Sequence, residues 1–199
     1  TWDKTSDYTS VSAQYYNELF ADPVDVDTVY SMDTWLHRTV DGGKTWTKVG
    51  EDNKHVDNHA MWINPADTDH WVVGCDGGAY LTYDRGATWK FIANLPITQF
   101  YRVSVDTSKP FYYVYGGTQD NNSLGGPHRT LDKSGISNED WFVTVGGDGY
   151  ETVVDPTNPD IVYSQWQYGN LVRYDRRSGE RIDIKPQPAA GEALRWNWD

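Results

Sequence analysis

A spacing, more than any single residue, constrains what this chain can fold into. An apolar stretch, a turn opened by Asp or Asn, and a second apolar stretch recur along it. Two copies run from Leu19-Phe20-Ala21-Asp22-Pro23 to Thr28-Val29-Tyr30 and from Met61-Trp62-Ile63-Asn64-Pro65 to Trp71-Val72-Val73. Two more run from Val103-Ser104-Val105-Asp106-Thr107 to Tyr112-Tyr113-Val114-Tyr115 and from Thr152-Val153-Val154-Asp155-Pro156 to Ile161-Val162-Tyr163. The anchors stand at 22, 64, 106 and 155, in steps of 42, 42 and 49. An Asx side chain hydrogen-bonds backbone just ahead of it, so each anchor opens a tight reversal between two strands.

A period of roughly 40 to 50 residues is that of a propeller blade, a four-stranded sheet that buries both faces only against its neighbours. The sequence therefore predicts an all-β fold, a β-propeller segment of about four four-stranded blades with hardly any helix. The blades are expected at 11–50, 51–95, 96–145 and 146–185 of a single segment 1–199, with Thr1–Ser10 a connector or the rim of a preceding blade and 186–199 the start of a further blade. Gly117–Ser137 reads as a long connection between second and third strands. Composition agrees: 10 Trp, 14 Tyr and 5 Phe make 15% of the chain, beside 18 Gly and 9 Pro, as short strands and tight turns require.

A second periodic element interlocks with the first. Thr39-Val40-Asp41-Gly42-Gly43-Lys44-Thr45-Trp46 and Thr82-Tyr83-Asp84-Arg85-Gly86-Ala87-Thr88-Trp89 share one pattern, Thr-x-Asp-x-Gly-x-Thr-Trp. In such a hairpin the Asp accepts turn N–H groups, Gly supplies positive φ, and the indole folds over the turn. These segments resemble Asp-boxes, the BNR repeats of sialidases and of sortilin-type VPS10 domains. His55 to Pro65, Gly74-Cys75-Asp76-Gly77-Gly78 and Gly116-Gly117-Thr118-Gln119-Asp120-Asn121 resemble the bacterial VPS10/sortilin-like, glycosyl-hydrolase-like group. The likeness spans most of 11–185, though Thr130-Leu131-Asp132 and Tyr174-Asp175-Arg176 lack the Thr-Trp. It implies structural roles for Asp41, Gly43, Thr45, Trp46, Asp84, Gly86, Thr88 and Trp89, with each Trp packed on its own blade. It also implies a secreted, periplasmic or cell-surface location. Because Asp-box propellers usually have more blades, the chain reads as a fragment completed by further blades or another chain.

With strands A to D in each blade, the A–B and C–D turns share one end, and the D–A and B–C connections share the other. The anchors and Asp-box-like turns occupy the first end, so ligand recognition is expected at the second, where loops on a rigid scaffold concentrate binding residues. Candidates for ligand contact there are His59, Asp76, Gln99, Tyr101, Gln119, Tyr150 and Gln167, a mixture suited to a glycan, peptide or protein ligand. Glycoside hydrolysis is the alternative. It needs two carboxyl groups, and Asp57, Asp76, Asp120 and Asp148 are the candidates. A generic polar lining is the plain reading of the same residues.

His55-x-Asp57-x-His59 would converge on one side of a strand and could hold a divalent metal, although the same three residues suit a structural polar cluster. No other cofactor is expected. Net charge is −12, which disfavours nucleic acid and anionic membrane surfaces, and no stretch has the length of a membrane-inserting helix. Cys75 is the lone thiol, expected as a small buried residue.

Overall fold

The computed structural model describes residues 3–95 and 97–198. The expected blade boundary at 96 and the chain ends at 1, 2 and 199 lie outside them. The chain divides into two compact units, Thr1–Pro96 and Ile97–Asp199.

The first unit holds two sheets. One orders β1 (Leu19–Ala21), β2 (Val29–Ser31), β3 (His37–Thr39) and β4 (Thr47–Lys48); the other orders β5 (Asn58–Ile63), β6 (Trp71–Cys75), β7 (Gly78–Thr82) and β8 (Lys90–Phe91). The second unit holds β9 (Arg102–Val105), β10 (Tyr113–Gly117), β11 (Ser123–Pro127) and β12 (Phe142–Val145), then β13 (Thr152–Val154), β14 (Ile161–Trp166), β15 (Asn170–Asp175) and β16 (Arg181–Asp183). Each sheet is an antiparallel meander in chain order, and the one helical element described is a 3-10 turn at Asn138–Asp140. The chain is thus a β-propeller segment of four four-stranded blades.

The anchors do what their chemistry demands. Asp22 Oδ1 accepts the N–H groups of Val24 (2.9 Å) and Asp25 (3.0 Å), and Asn64 Oδ1 accepts that of Ala66 (3.0 Å). Asp106 Oδ1 accepts those of Ser108 (3.1 Å) and Tyr113 (2.7 Å), and Asp155 Oδ1 those of Thr157 (2.8 Å) and Asn158 (3.1 Å). The β3–β4 and β7–β8 turns repeat one network. Asp41 Oδ1 accepts the N–H of Lys44 (3.0 Å) and Thr45 (2.9 Å) and the hydroxyl of Thr39 (2.8 Å), while Oδ2 takes the Thr45 hydroxyl at 2.7 Å. Asp84 accepts the Thr88 N–H (2.8 Å) and the hydroxyls of Thr88 (2.6 Å) and Thr82 (2.7 Å).

In the first unit both sheets share one core: Tyr30, Met32, Leu36, Val49, Met61, Ile63, Trp71 and Val73 are buried together. Trp46 stays on its own turn, its Nε1 donating to Gly43 O at 3.2 Å, and its ring stacks on Tyr8 at 4.5 Å. Trp89 packs near Trp71 of its own sheet but donates to Gly50 O at 2.7 Å, so it ties its blade to the preceding one. Gly86 makes that closeness possible. It has φ +85°, and a Cβ there would lie 2.6 Å from Val49 Cγ1. The second unit has the smaller buried cluster of Tyr115, Val162 and Tyr174, with Tyr113, Phe142 and Val154 packed against it.

One expectation is corrected. The β10–β11 connection is only 118–122, and the long insertion, 128–141, joins β11 to β12 at the opposite end. Ser123-Leu124-Gly125-Gly126-Pro127 carries little strand propensity, yet it pairs along its whole length with β10. Tertiary packing overrides the local preference.

Candidate functional site

Each unit gathers side chains at the end carrying its D–A and B–C connections. In the first unit the group forms where the coil after the 11–15 turn meets the start of β5 and the β6–β7 turn. Tyr16 is 7% exposed and donates its hydroxyl to Asp57 Oδ1 at 2.7 Å. Burial, reinforced by that carboxylate, pushes the Tyr16 phenol well above its ordinary range, so it stays a donor. His59 Nε2 lies 2.8 Å from Asp76 Oδ1, and carboxylate oxygens of Asp57 and Asp76 come within 4.8 Å of each other. The Tyr15 ring, 60% exposed, stands edge-on to His59 at 5.2 Å. Asp33 is a fixture beneath the group. It is buried, its Oδ2 accepts the Val11 N–H at 2.9 Å, and its carbonyl takes the N–H of Asn58 at 2.9 Å.

The expected alternation through His55, Asp57 and His59 does not occur. Strand β5 begins only at Asn58, Asp57 has φ +61°, and the register shifts between Asn58 and Ala60. A left-handed residue followed by a bulge breaks the two-residue period on which convergence depended. His55 instead lies against Gly77, where a Cβ would come within 2.4 Å of it, and its Nδ1 is 2.9 Å from Val56 O. Among the described residues, donor atoms of this triad do not gather within 4.8 Å. Cys75 is half-buried, with burial holding its thiol above the ordinary value, so it lacks the thiolate a nucleophile needs.

In the second unit the group sits on the coil before β9, the β10–β11 turn, the coil before β13 and the β14–β15 turn. Tyr101, 48% exposed, hydrogen-bonds Gln119 Oε1 through its hydroxyl, and its ring is 5.5 Å from that of Tyr150. Arg102 Nε donates to the Tyr150 hydroxyl at 3.2 Å, with the guanidinium 5.3 Å from the ring centre. Gly117 allows this closeness, because a Cβ there would stand 2.1 Å from the Tyr150 backbone nitrogen. Asp148 is buried, and both its oxygens are taken, Oδ1 by the Asp120 N–H at 2.8 Å and Oδ2 by the Gln167 amide. Gln167 Oε1 in turn accepts the Asp148 N–H at 2.9 Å. This pair braces the β10–β11 turn, where Asp120 has φ +63°.

The expected residues therefore sort by surroundings. His59, Asp57 and Asp76 meet in one unit, and Tyr101, Gln119 and Tyr150 meet in the other. Asp148 and Gln167 are occupied with each other, and Gln99 is exposed in the coil ahead of β9. Sequence reasoning missed Tyr16 and the Arg102–Tyr150 contact. The chain around Tyr16 is turn and coil with no period to read, so Tyr16 points inward by tertiary contact alone.

Neither a family model nor a curated protein matches the sequence. Among solved structures the chain is similar to a GH74 enzyme of Niastella koreensis, at 15% identity and TM-score 0.38 over 88% of this chain and 30% of that one. It is also similar to the GH74 xyloglucanase of Xanthomonas campestris, at 19% identity and TM-score 0.36 over 85% of this chain and 30% of that one. YCF48 bound to D1 peptide matches at 14% identity and TM-score 0.33, over 85% of this chain and 67% of that one. The chain thus spans about 30% of the length of the two GH74 structures. Its fold class rests on its own four meanders.

Proposed function

We propose that this protein is a binding or scaffold module that recognises its ligand through the loops at the D–A and B–C end of its blades. The observation that carries the reading is the half-exposed Tyr101–Tyr150 ring pair, flanked by the Gln119 amide and the Arg102 guanidinium. Rings of this kind stack on the CH faces of sugars or on peptide side chains, and the amide and guanidinium supply directional hydrogen bonds. A glycan suits this set best, with a peptide or protein segment the other class to screen. The Thr-x-Asp-x-Gly-x-Thr-Trp turns support placing the chain with Asp-box propellers of the VPS10/sortilin-like kind, and with that a secreted, periplasmic or cell-surface location.

A glycan array and a peptide library screened with the protein test this reading. Tyr101→Ala and Tyr150→Ala should each weaken any hit by about tenfold, the scale of a lost stacking contact, with circular dichroism unchanged. Full affinity in both variants would overturn it.

The Asp57–Asp76 pair favours one second reading, glycoside hydrolysis. Carboxylate oxygens within 4.8 Å of each other sit closer to the roughly 5–5.5 Å of retaining enzymes than to the wider inverting spacing. Hydrolysis of an array hit that survives Asp57→Asn and Asp76→Asn would exclude these carboxylates.

A further inference from the structure

The opposite end of the second unit holds a feature that the proposed function does not use. In three blades the A–B turn is clasped to the C–D turn through the fifth residue after the Asx anchor. The carbonyl of Asp27 accepts the Gly42 N–H at 3.0 Å, that of Asp69 the Arg85 N–H at 3.1 Å, and that of Asp160 the Arg176 N–H at 2.8 Å. In the third blade the equivalent residue is Phe111, preceded by Pro110, and the nearest tie is His128 N–H to Tyr112 O at 3.2 Å. With the clasp gone and 128–141 inserted, a cavity of about 640 Å³ opens between the turns of the third and fourth blades. Small-molecule sites span roughly 300–1,000 Å³.

The geometry points to a binding site here for a planar, apolar organic anion of the aromatic carboxylate class. The apolar lining comes from Phe111, with the exposed Pro110 and Leu131 at the rim, and the cations at the cavity are Lys109, Arg129 and Arg176. Arg176 is already balanced, 3.2 Å from Asp160 and 3.6 Å from Asp106. Lys109 and Arg129 have no acidic partner within ion-pair distance among the described residues. Both side chains are exposed at the cavity mouth. The carboxylate in the lining, Asp140, keeps its charge while its Oδ2 accepts the Ser137 N–H at 2.7 Å and lies 3.3 Å from the Ser137 hydroxyl, so it offsets one of the two cations and leaves the other for a ligand carboxylate.

The walls decide what body the anion carries. Proline and phenylalanine offer flat apolar surface and, at proline, no N–H. The two aliphatic hydroxyls are partly committed: Ser108 donates to Asp106 Oδ2 at 2.7 Å, and Thr130 Oγ1 accepts the Asp132 N–H at 3.1 Å. A hydroxyl-rich ligand would gain less from the apolar wall than an aromatic ring does. An aromatic ring with one or two carboxylates matches the lining, since the cations take the charge and the walls take the ring.

Titration calorimetry with phthalate, benzoate, benzamide and glucuronate tests the assignment. Phthalate should saturate, benzoate should bind more weakly, and benzamide and glucuronate should be weaker than phthalate by about tenfold or more, as expected for a lost charge-assisted contact or a poorly matched body. The exposed double variant Lys109→Gln/Arg129→Gln should weaken phthalate by about tenfold or more with an unchanged circular dichroism spectrum. Tyr101→Ala, at the other end, should leave phthalate binding intact. Benzamide matching benzoate, glucuronate matching phthalate, a double variant that binds normally, or no saturable phthalate binding would each overturn the proposal.

Discussion

The C–D turns of the first unit are held by a carboxylate: Asp41 and Asp84 each accept backbone N–H and hydroxyl hydrogen bonds within the turn, and an indole lies over the result. The last C–D turn of the second unit keeps the Asp but not the Thr-Trp. Asp175 Oδ1 still accepts the N–H groups of Arg177 (2.9 Å) and Ser178 (3.3 Å), but the outward tie is Arg176. That guanidinium reaches the Tyr115 hydroxyl at 3.3 Å and stands 4.3 Å from the Tyr113 ring centre. Arg85 holds the same place in the first unit and pairs with Asp69, as Arg176 pairs with Asp160. The residue type is retained in the two units, but its surroundings change its job. Where Trp89 links blades in the first unit, Arg176 links them in the second, by reaching both Asp160 of its own blade and Asp106 of the one before.

The comparison breaks most sharply at the cores. Trp71 is fully buried within the shared core of the first unit, so Trp71→Ala should cost about 3–5 kcal/mol in urea unfolding. A loss under about 1 kcal/mol would show that the first unit does not depend on that core. Arg176→Ala comes next, at about 1–3 kcal/mol, because the buried Asp106 and Tyr115 each lose a polar partner. Arg176→Lys should not restore it, since a lysine cannot span the carboxylates and lie over Tyr113 together. Full rescue by lysine would reduce the guanidinium to a point charge.

The smallest effect is a pH dependence to which the carboxylate-held turns contribute, beside Asp25, Asp155 and Asp175, whose carboxyls are also lowered by turn hydrogen bonds. The Thr45 N–H, together with the Thr45 and Thr39 hydroxyls, holds the Asp41 carboxyl down at about 2, and the Thr88 hydroxyl and N–H lower that of Asp84. A carboxyl lowered on folding stabilises fully above its unfolded value, about 3.9. That stabilisation fades as pH falls through the folded value. Melting temperature should therefore drop from pH 4 toward pH 2, and Asp41→Asn should be less stable at pH 7 with a flatter acid limb. An unchanged acid limb in Asp41→Asn would remove Asp41 from the acid response.

Much of the fold was legible because its signals are local. Each Asx anchor and its turn lie within a few residues, and a carboxylate that close to turn N–H groups has little choice of partner. The β11 strand was not legible, since its glycines and proline argue against a strand and only pairing with β10 makes it one. The His55-Asp57-His59 reading failed for a related reason. Strand alternation has to begin somewhere, and the positive φ of Asp57 delays it to Asn58.

By itself, the sequence determined the four-blade repeat, the Asx and Asp turns, and therefore which loops share an end, because all of these follow from spacing and short-range hydrogen bonding. Only the tertiary structure decided that Asp148 is occupied by Gln167, that Tyr16 turns inward to Asp57, and that the third blade opens a cavity where the others are clasped. Those outcomes depend on which side chains from distant strands arrive at one place, and contacts across 19, 41 or more residues leave no periodic trace in the chain.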